Sequence, residues 1–302
     1  MNRGYLPWLL LLAGLWGSSY FFIKVAVDDI EPSVMMSVRA LVAGLMLLMF
    51  LFVTKGVAWS TSQLRAAGRA TFVFGCFNAA LPFWLIAWGE KHIDSSVAGI
   101  AQATVPIFAF VIGLRYLPHE HVPPIRWAGV ALGLVGVGVL TGIDLPGGRW
   151  AVGGTLAVVL SSISYASSGT YAQLRVRETP GPVLATGGML VGGLLLLPLA
   201  LAQLPSEAPG WETVASVAAL TILGTAIAQL VFFHMLPLYG NRRISLVAYI
   251  MPVFAIAYGA LFLSEPVTAA MLVGLGLILV GVALGSGLLL ASRRPKTLEE
   301  IL

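Results

Sequence analysis

The chain has 302 residues, of which 58% are apolar and only 10% charged, and its mean hydropathy is +0.93. A soluble domain carries roughly 25% charge; so few charges cannot cover a water-facing surface, and lipid must solvate most of the molecule. Cys76 is the lone cysteine, which excludes an internal disulfide and a thiolate metal site and leaves it as a small packing residue. The net charge of +4 is spread over short loops, which argues against a nucleic-acid partner.

Backbone groups in lipid have no water to bond, so only helices or closed barrels can span it. Barrel strands alternate apolar and polar residues. The runs here are unbroken, which makes the chain all-α. A span needs about 20 apolar residues, and ten runs qualify in chain order: 5–27, 34–53, 70–89, 95–115, 124–142, 150–172, 183–203, 214–237, 244–263 and 268–290. The first run, behind Arg3, looks like a signal peptide. Its length and the lack of a small-x-small site before Asp28 make it a retained span instead. The connections leave no room for a soluble domain, and the stretch 292–302 is a polar, cytoplasmic tail.

Loop charges test this count. With both termini in the cytoplasm, the inner loops and ends hold Arg3, Lys55, Arg65, Arg69, Arg115, Arg126, Arg175, Arg177, Arg242, Arg243, Arg293, Arg294 and Lys296. The outer loops hold only Lys91 and Arg149, and Lys24 and Arg39 lie in or near span ends. That bias is what the positive-inside rule expects. The order of spans also repeats. VPIFAFVIGLRYLPHE from Val105 matches MPVFAIAYGALFLSE from Met251, with Pro106 on Pro252, Phe108 on Phe254, Gly113 on Gly259 and Glu120 on Glu265. The offset of about 146 residues is five spans, and an odd number of spans reverses the second copy in the membrane. The expected architecture is therefore two inverted five-helix repeats, 1–143 and 149–291, the arrangement of many transporters with a site between the halves.

LWGSSYFFIK (Leu15 to Lys24), the stretch from Pro32 to Arg39 and the doubled P-x-F-A-x-x-x-G…E segment resemble the drug/metabolite transporter superfamily. Within it they resemble the ten-span EamA-type exporters, and most of all the YddG type, which export aromatic and other amino acids. The resemblance covers about residues 5–290. It implies a monomer in the cell's inner membrane, with spans 1, 3, 4, 6, 8 and 9 around a central cavity and spans 5 and 10 bracing the halves. The second half departs from the pattern: YASSG (Tyr165 to Gly169) stands for WGSSY, and Arg39 has no clear counterpart. The halves are thus not expected to contribute equally to a site.

No reaction chemistry is visible. There is no phosphate loop, metal-ligand cluster, cofactor motif or convincing Ser/His/Asp set, so the chain does not read as an enzyme. Glu90, His92 and Asp94 come closest to what a membrane enzyme of lipid-linked substrates would need, but they form a weak signal on a short loop. Polar groups inside spans are costly, roughly 2.5–3.5 kcal/mol for a central charge, and mark the candidate substrate cavity. The candidates are Trp16, Ser19, Tyr20, Asn78, Pro82, Gln102, Ser164, Tyr165, Ser168, Gln229, His234 and Tyr249. Ser161, Ser164, Tyr165 and Ser168 share one helix face; they either line a wet cavity or are small residues that let helices approach, bonded to their own helix. Trp8, Trp59, Trp150 and Trp211 sit near span ends as interfacial anchors. Arg39 is expected to latch an outer gate to Asp28, Asp29 or Glu31, or to meet a substrate carboxylate. Glu120 and Glu265 are expected to tie their turns to the next helix's N-terminus. Pro106 and Pro252 are candidate hinges. The first span has no acid, and the acidic residues fall at loops, span ends or tails, which argues against carboxylate-based proton exchange. Downhill export and coupling through His234 stay open, as do drugs or other metabolites as cargo.

Overall fold

The computed structural model describes residues 4–116, 123–142 and 148–285, so Arg3, His119, Glu120, His121 and the tail lie outside the described residues. Seven helices are long and apolar enough to cross a membrane and three shorter apolar ones accompany them. In chain order these are α1 Tyr5–Ala26, α2 Pro32–Lys55, α3 Gly68–Glu90, α4 Ser95–Leu114, α5 Pro124–Gly142, α6 Arg149–Arg175, α7 Gly181–Ala202, α8 Trp211–Tyr239, α9 Val247–Phe262 and α10 Ala269–Gly285. The protein is an all-α polytopic membrane protein. Local chemistry sets the ends. Pro32 opens α2 where its missing N–H costs nothing. Gly56 closes α2 at φ 85° and Gly240 closes α8 at φ 72°, conformations that favour glycine.

Side chains such as Leu45, Met49 and Val53 on α2 and Leu194 on α7 are exposed. Such apolar faces suit lipid, not water. Where helices meet, glycine brings backbones together. A Cβ on Gly129 of α5 would lie 2.5 Å from the Gly285 nitrogen, and one on Gly281 of α10 would lie 2.6 Å from the Gly129 carbonyl. Between α2 and α7, a Cβ on Gly193 would lie 2.8 Å from the Leu41 nitrogen. In lipid no hydrophobic force joins helices, so close backbone approach supplies the contact.

The packing partners have an order. α5 lies on α10, α2 on α7, and α4 on α9. α1 packs on α8 and α9, while α6 packs on α3 and α4. Exchanging each helix for the one five places away maps these contacts onto themselves. The two ends of the bundle differ, however. At one end, formed by the C-termini of α1, α3 and α9 and the N-terminus of α4, residues 95–104 are buried throughout. There α4 packs on α1, α9 and α6. Pro106 has no N–H for the Gln102 carbonyl, and the helix tightens before it, with Ala103 N–H bonding Ile100 at 3.1 Å and Thr104 N–H bonding Ala101 at 3.2 Å. Beyond this break α4 turns toward α6 and α10 and is partly exposed. The end around residues 95–104, the sealed end, is closely packed, while a cleft of about 300 Å³ lies beside the other half of α4. α9, by contrast, runs unbroken through Pro252.

One element has no counterpart in the apolar runs. Val57–Ala66 is a separate short helix between α2 and α3, largely exposed, with Ser60 buried and Leu64 packed toward α7 residue Val183.

Candidate functional site

Two π-helical turns interrupt the spans, at Cys76–Ala80 in α3 and Ile222–Ile227 in α8. Their starts are 146 residues apart, the offset of the sequence repeat. A π-turn frees carbonyls from the helical ladder. In α3 the Leu81 N–H bonds Cys76 O, so the next donor, for Phe77 O, would be residue 82. That residue is Pro82 and has no N–H. Ser164 of α6 donates to Phe77 O instead, at 2.8 Å. Ser168 donates to Asn78 Oδ1 at 3.0 Å, and Ser161 to Gln102 Oε1 at 2.8 Å. All three serines also take part in, or sit within, a buried seam; Ser161 and Ser168 additionally bond carbonyls of their own helix. The serine face therefore joins α3, α4 and α6 through polar contacts while also back-bonding.

Arg39 of α2 is buried at 6% exposure. Its Nε donates to Thr225 Oγ1 in the α8 π-turn at 2.9 Å, its guanidinium carbon stands 4.0 Å above the Phe83 ring, and NH1 lies 3.6 Å from Met36 Sδ. Among the described residues no carboxylate lies within ion-pair distance of it, the ion pair present being Lys91 with Glu31 at 2.8 Å. The latch to Asp28, Asp29 or Glu31 is thus corrected. Asp29 accepts bonds from Thr213 and the Gly210 N–H, Glu31 holds Lys91, and Arg39 points into the bundle. A guanidinium has five donors, and among the described residues acceptors are found for Nε and NH1 alone. Tyr20, Tyr165 and Glu90 are the titratable groups that interact with it electrostatically. Tyr20 is buried, with its hydroxyl 3.9 Å from Met251 Sδ. Tyr165 lines a cleft of about 300 Å³ between α4 and α6, along with Val105, Ala109, Gly169 and Arg177.

The sealed end is built from polar contacts. Glu265, in the turn after α9, accepts the N–H of Ser95 at 2.7 Å and of Ser96 at 3.0 Å, and the Ser96 hydroxyl. It caps α4, not the next helix as the sequence suggested, because that turn folds back over the start of α4. Lys24 of α1 donates to the carbonyls of Glu90 at 2.8 Å and Ile93 at 2.9 Å, so it turns inward to α3. In the turn after α3, burial lowers the His92 pKa from its ordinary 6.5, with Lys91 and Lys24 adding to it.

A model of the EamA-like transporter family matches twice, at residues 4–142 and 152–287. The chain belongs to the EamA-like transporter family. It is thus a small-solute transporter rather than a member of an enzyme family. The "Uncharacterized inner membrane transporter YedA" of Escherichia coli (strain K12) is 26% identical over 280 residues, covering 91% of this chain and 88% of that protein. "Protein PecM" of Dickeya dadantii (strain 3937) is 25% identical, covering 93% and 92%. A solved crystal structure shares the fold with a TM-score of 0.67 at 19% identity, over 97% of this chain and all of that one.

The remaining candidates scatter. Trp16 sits near Phe232, with ring centroids 6.1 Å apart, and Tyr249 packs at the edge of the main core. Pro82 and Pro252 are buried and Pro106 half-buried. Ser19 bonds its own helix at Leu15 O. Gln229 is half-buried, and His234 is exposed on α8, its ring 4.8 Å from that of Trp8. Trp59, Trp150 and Trp211 are exposed at helix ends. Sequence reasoning had no signal for the π-turns, whose hydropathy matches ordinary helix. It did not single out Thr225's partnership with Arg39, which depends on them. No group of three or more His, Cys, Asp or Glu that could hold a metal occurs among the described residues.

Proposed function

We propose that this transporter exports small organic solutes, amino acids with aromatic ones included, by alternating access at a midplane site between two inverted repeats, 1–143 and 149–291, as a monomer. The carrying observation is Arg39: a buried guanidinium with unused donors and no carboxylate partner among the described residues. A charge so placed is expensive unless something answers it, and a planar carboxylate fits its fork. Phe83, Tyr20 and Tyr165 supply aromatic surface beside it, and the Gln102 and Asn78 carbonyls, now held by serines, supply acceptors for an ammonium group. The exchange symmetry of the helix contacts and the paired π-turns support the repeat; the odd number of spans between equivalents supports its inversion. The basic loops support an inner-membrane protein with both termini and the open end in the cytoplasm and the sealed end outside.

The test is counterflow of labelled tryptophan and phenylalanine in proteoliposomes, competed by amino acids and by carboxylate-free amines such as tryptamine. Amino acids should compete and amines should not, and Arg39→Ala should abolish the distinction. Amines competing as well as amino acids would turn the reading toward export of drug-like cations.

A further inference from the structure

Glu90 lies next to Lys91, His92 and Asp94 and reads in the sequence as a loop residue. The structure extends α3 through it and buries it fully, and neither carboxylate oxygen has a hydrogen-bond partner. Among the described residues none of the charged groups around it bonds its carboxylate. Lys24 on α1 bonds the backbone carbonyls of Glu90 and Ile93, not the carboxylate. Arg39 on α2 is bonded to Thr225 and stacked on Phe83. Glu265, after α9, is held by Ser95 and Ser96 at the start of α4. Tyr20 on α1 is buried by Met251, and α6 presents Gly154 and Val158 to the neighbouring Gly89. In the turn that follows, Lys91 pairs with Glu31, leaving His92 and Asp94. Two carboxylates thus close the same end in opposite ways. Glu265 has three donors and is arranged for a charge. Glu90 has none, and an ionised carboxylate without donors costs several kcal/mol.

We propose that Glu90 is a proton-binding site of the transport cycle: its carboxylate takes a proton from the outer medium as the sealed end closes, and releases it when that end opens. The proposal rests on the alternating-access reading above. Its sign is fixed by linkage. The closed form binds one more proton, so acid outside favours closure, by up to about tenfold per pH unit. Closure and proton uptake then go together, which supplies the coupling that a span without acids seemed to lack. The chemistry is simple proton transfer, with carboxylate and hydronium giving carboxylic acid and water.

The test follows opening directly. In a Cys76→Ser chain, Ala98→Cys places a thiol at a fully buried position of α4. Its labelling by an impermeant maleimide is measured between about pH 5 and about pH 8, relative to a Trp211→Cys chain whose position is 80% exposed. Relative labelling should rise with pH in the parent, stay low at all pH values in Glu90→Gln, and remain pH-dependent in Glu90→Asp. Gln mimics the protonated form, so that chain should melt no lower than the parent. An identical pH profile in Glu90→Gln, or a lower melting temperature, would overturn the proposal. Failure to transport amino acids with the profile intact would strike only the substrate reading; amino-acid flux with an unchanged Glu90→Gln profile would strike only the proton site.

Discussion

Arg39→Lys keeps the charge at the buried position but loses the fork that grips a carboxylate. Losing a charge-assisted hydrogen bond costs about 1.5–3 kcal/mol, so affinity for amino acids should fall by about 10- to 100-fold, measured as the counterflow half-saturation concentration. An affinity within a factor of about two of the parent would remove Arg39 from the site. A second residue carries a pH dependence. Burial pushes the Asp94 carboxyl up from its ordinary 3.8, Glu265 adds to the rise, and Lys24 opposes it. The folded state then binds more protons than the unfolded one, so this group's contribution to stability falls as pH rises from 3.8 through the raised value. Thermal melts in detergent over that range should show the decline in the parent and not in Asp94→Asn. Arg39 was legible, since a charge in an apolar run stands out, but its partner was not. Glu90 was hidden for the opposite reason: its polar neighbours disguise a buried position, the last residue of α3, that the Lys24 contact to its carbonyl helps to hold.

At the level of the helix, the α3 π-turn makes a testable unit of three residues. Ser164 serves the Phe77 carbonyl because Pro82 cannot. Ser164→Ala should therefore cost about 1–2 kcal/mol in an otherwise native chain. With Pro82→Ala, the restored N–H offers the carbonyl a partner, and the added cost of Ser164→Ala should shrink markedly. A double-mutant cycle on thermal stability reads the coupling; strict additivity would mean that the serine and the proline act independently. Spans of about 20 apolar residues are legible because lipid thickness imposes them, and all ten runs have helices. A missing N–H made a break before Pro106 legible, but the same signal at Pro252 leaves α9 unbroken. The π-turns were not, since an extra residue in a helical turn changes hydrogen bonding without changing composition. Nor was Val57–Ala66, a helix too short and too mixed to stand out from a loop.

Across the whole molecule, the contacts form a nearly self-exchanging set, yet α4 is buried throughout at the sealed end and only partly covered along its other half. A set of contacts that exchanges onto itself allows two states of similar energy, and small polar differences decide which is occupied. Glu265 is one polar contact at the packed end, joining the turn after α9 to the N-terminus of α4 through three donors. Its charge also meets the positive end of that helix. Glu265→Gln keeps the shape but removes the charge, leaving an amide whose NH2 group faces two N–H donors. The loss of charge-assisted bonds should shift the balance toward opening of the sealed end by about 10- to 100-fold. At constant pH, the buried thiol of an Ala98→Cys chain should then label faster from that side, while transport slows at the step that recloses it. The bracing pair offers the contrast that excludes general loosening. Gly138→Leu meets open space and should leave both rates alone, whereas Gly129→Leu, aimed at the backbone of α10, should lower the melting temperature without favouring either end. If Glu265→Gln instead labels like the parent and only melts earlier, the capping carboxylate is structural and the seal is held by packing alone.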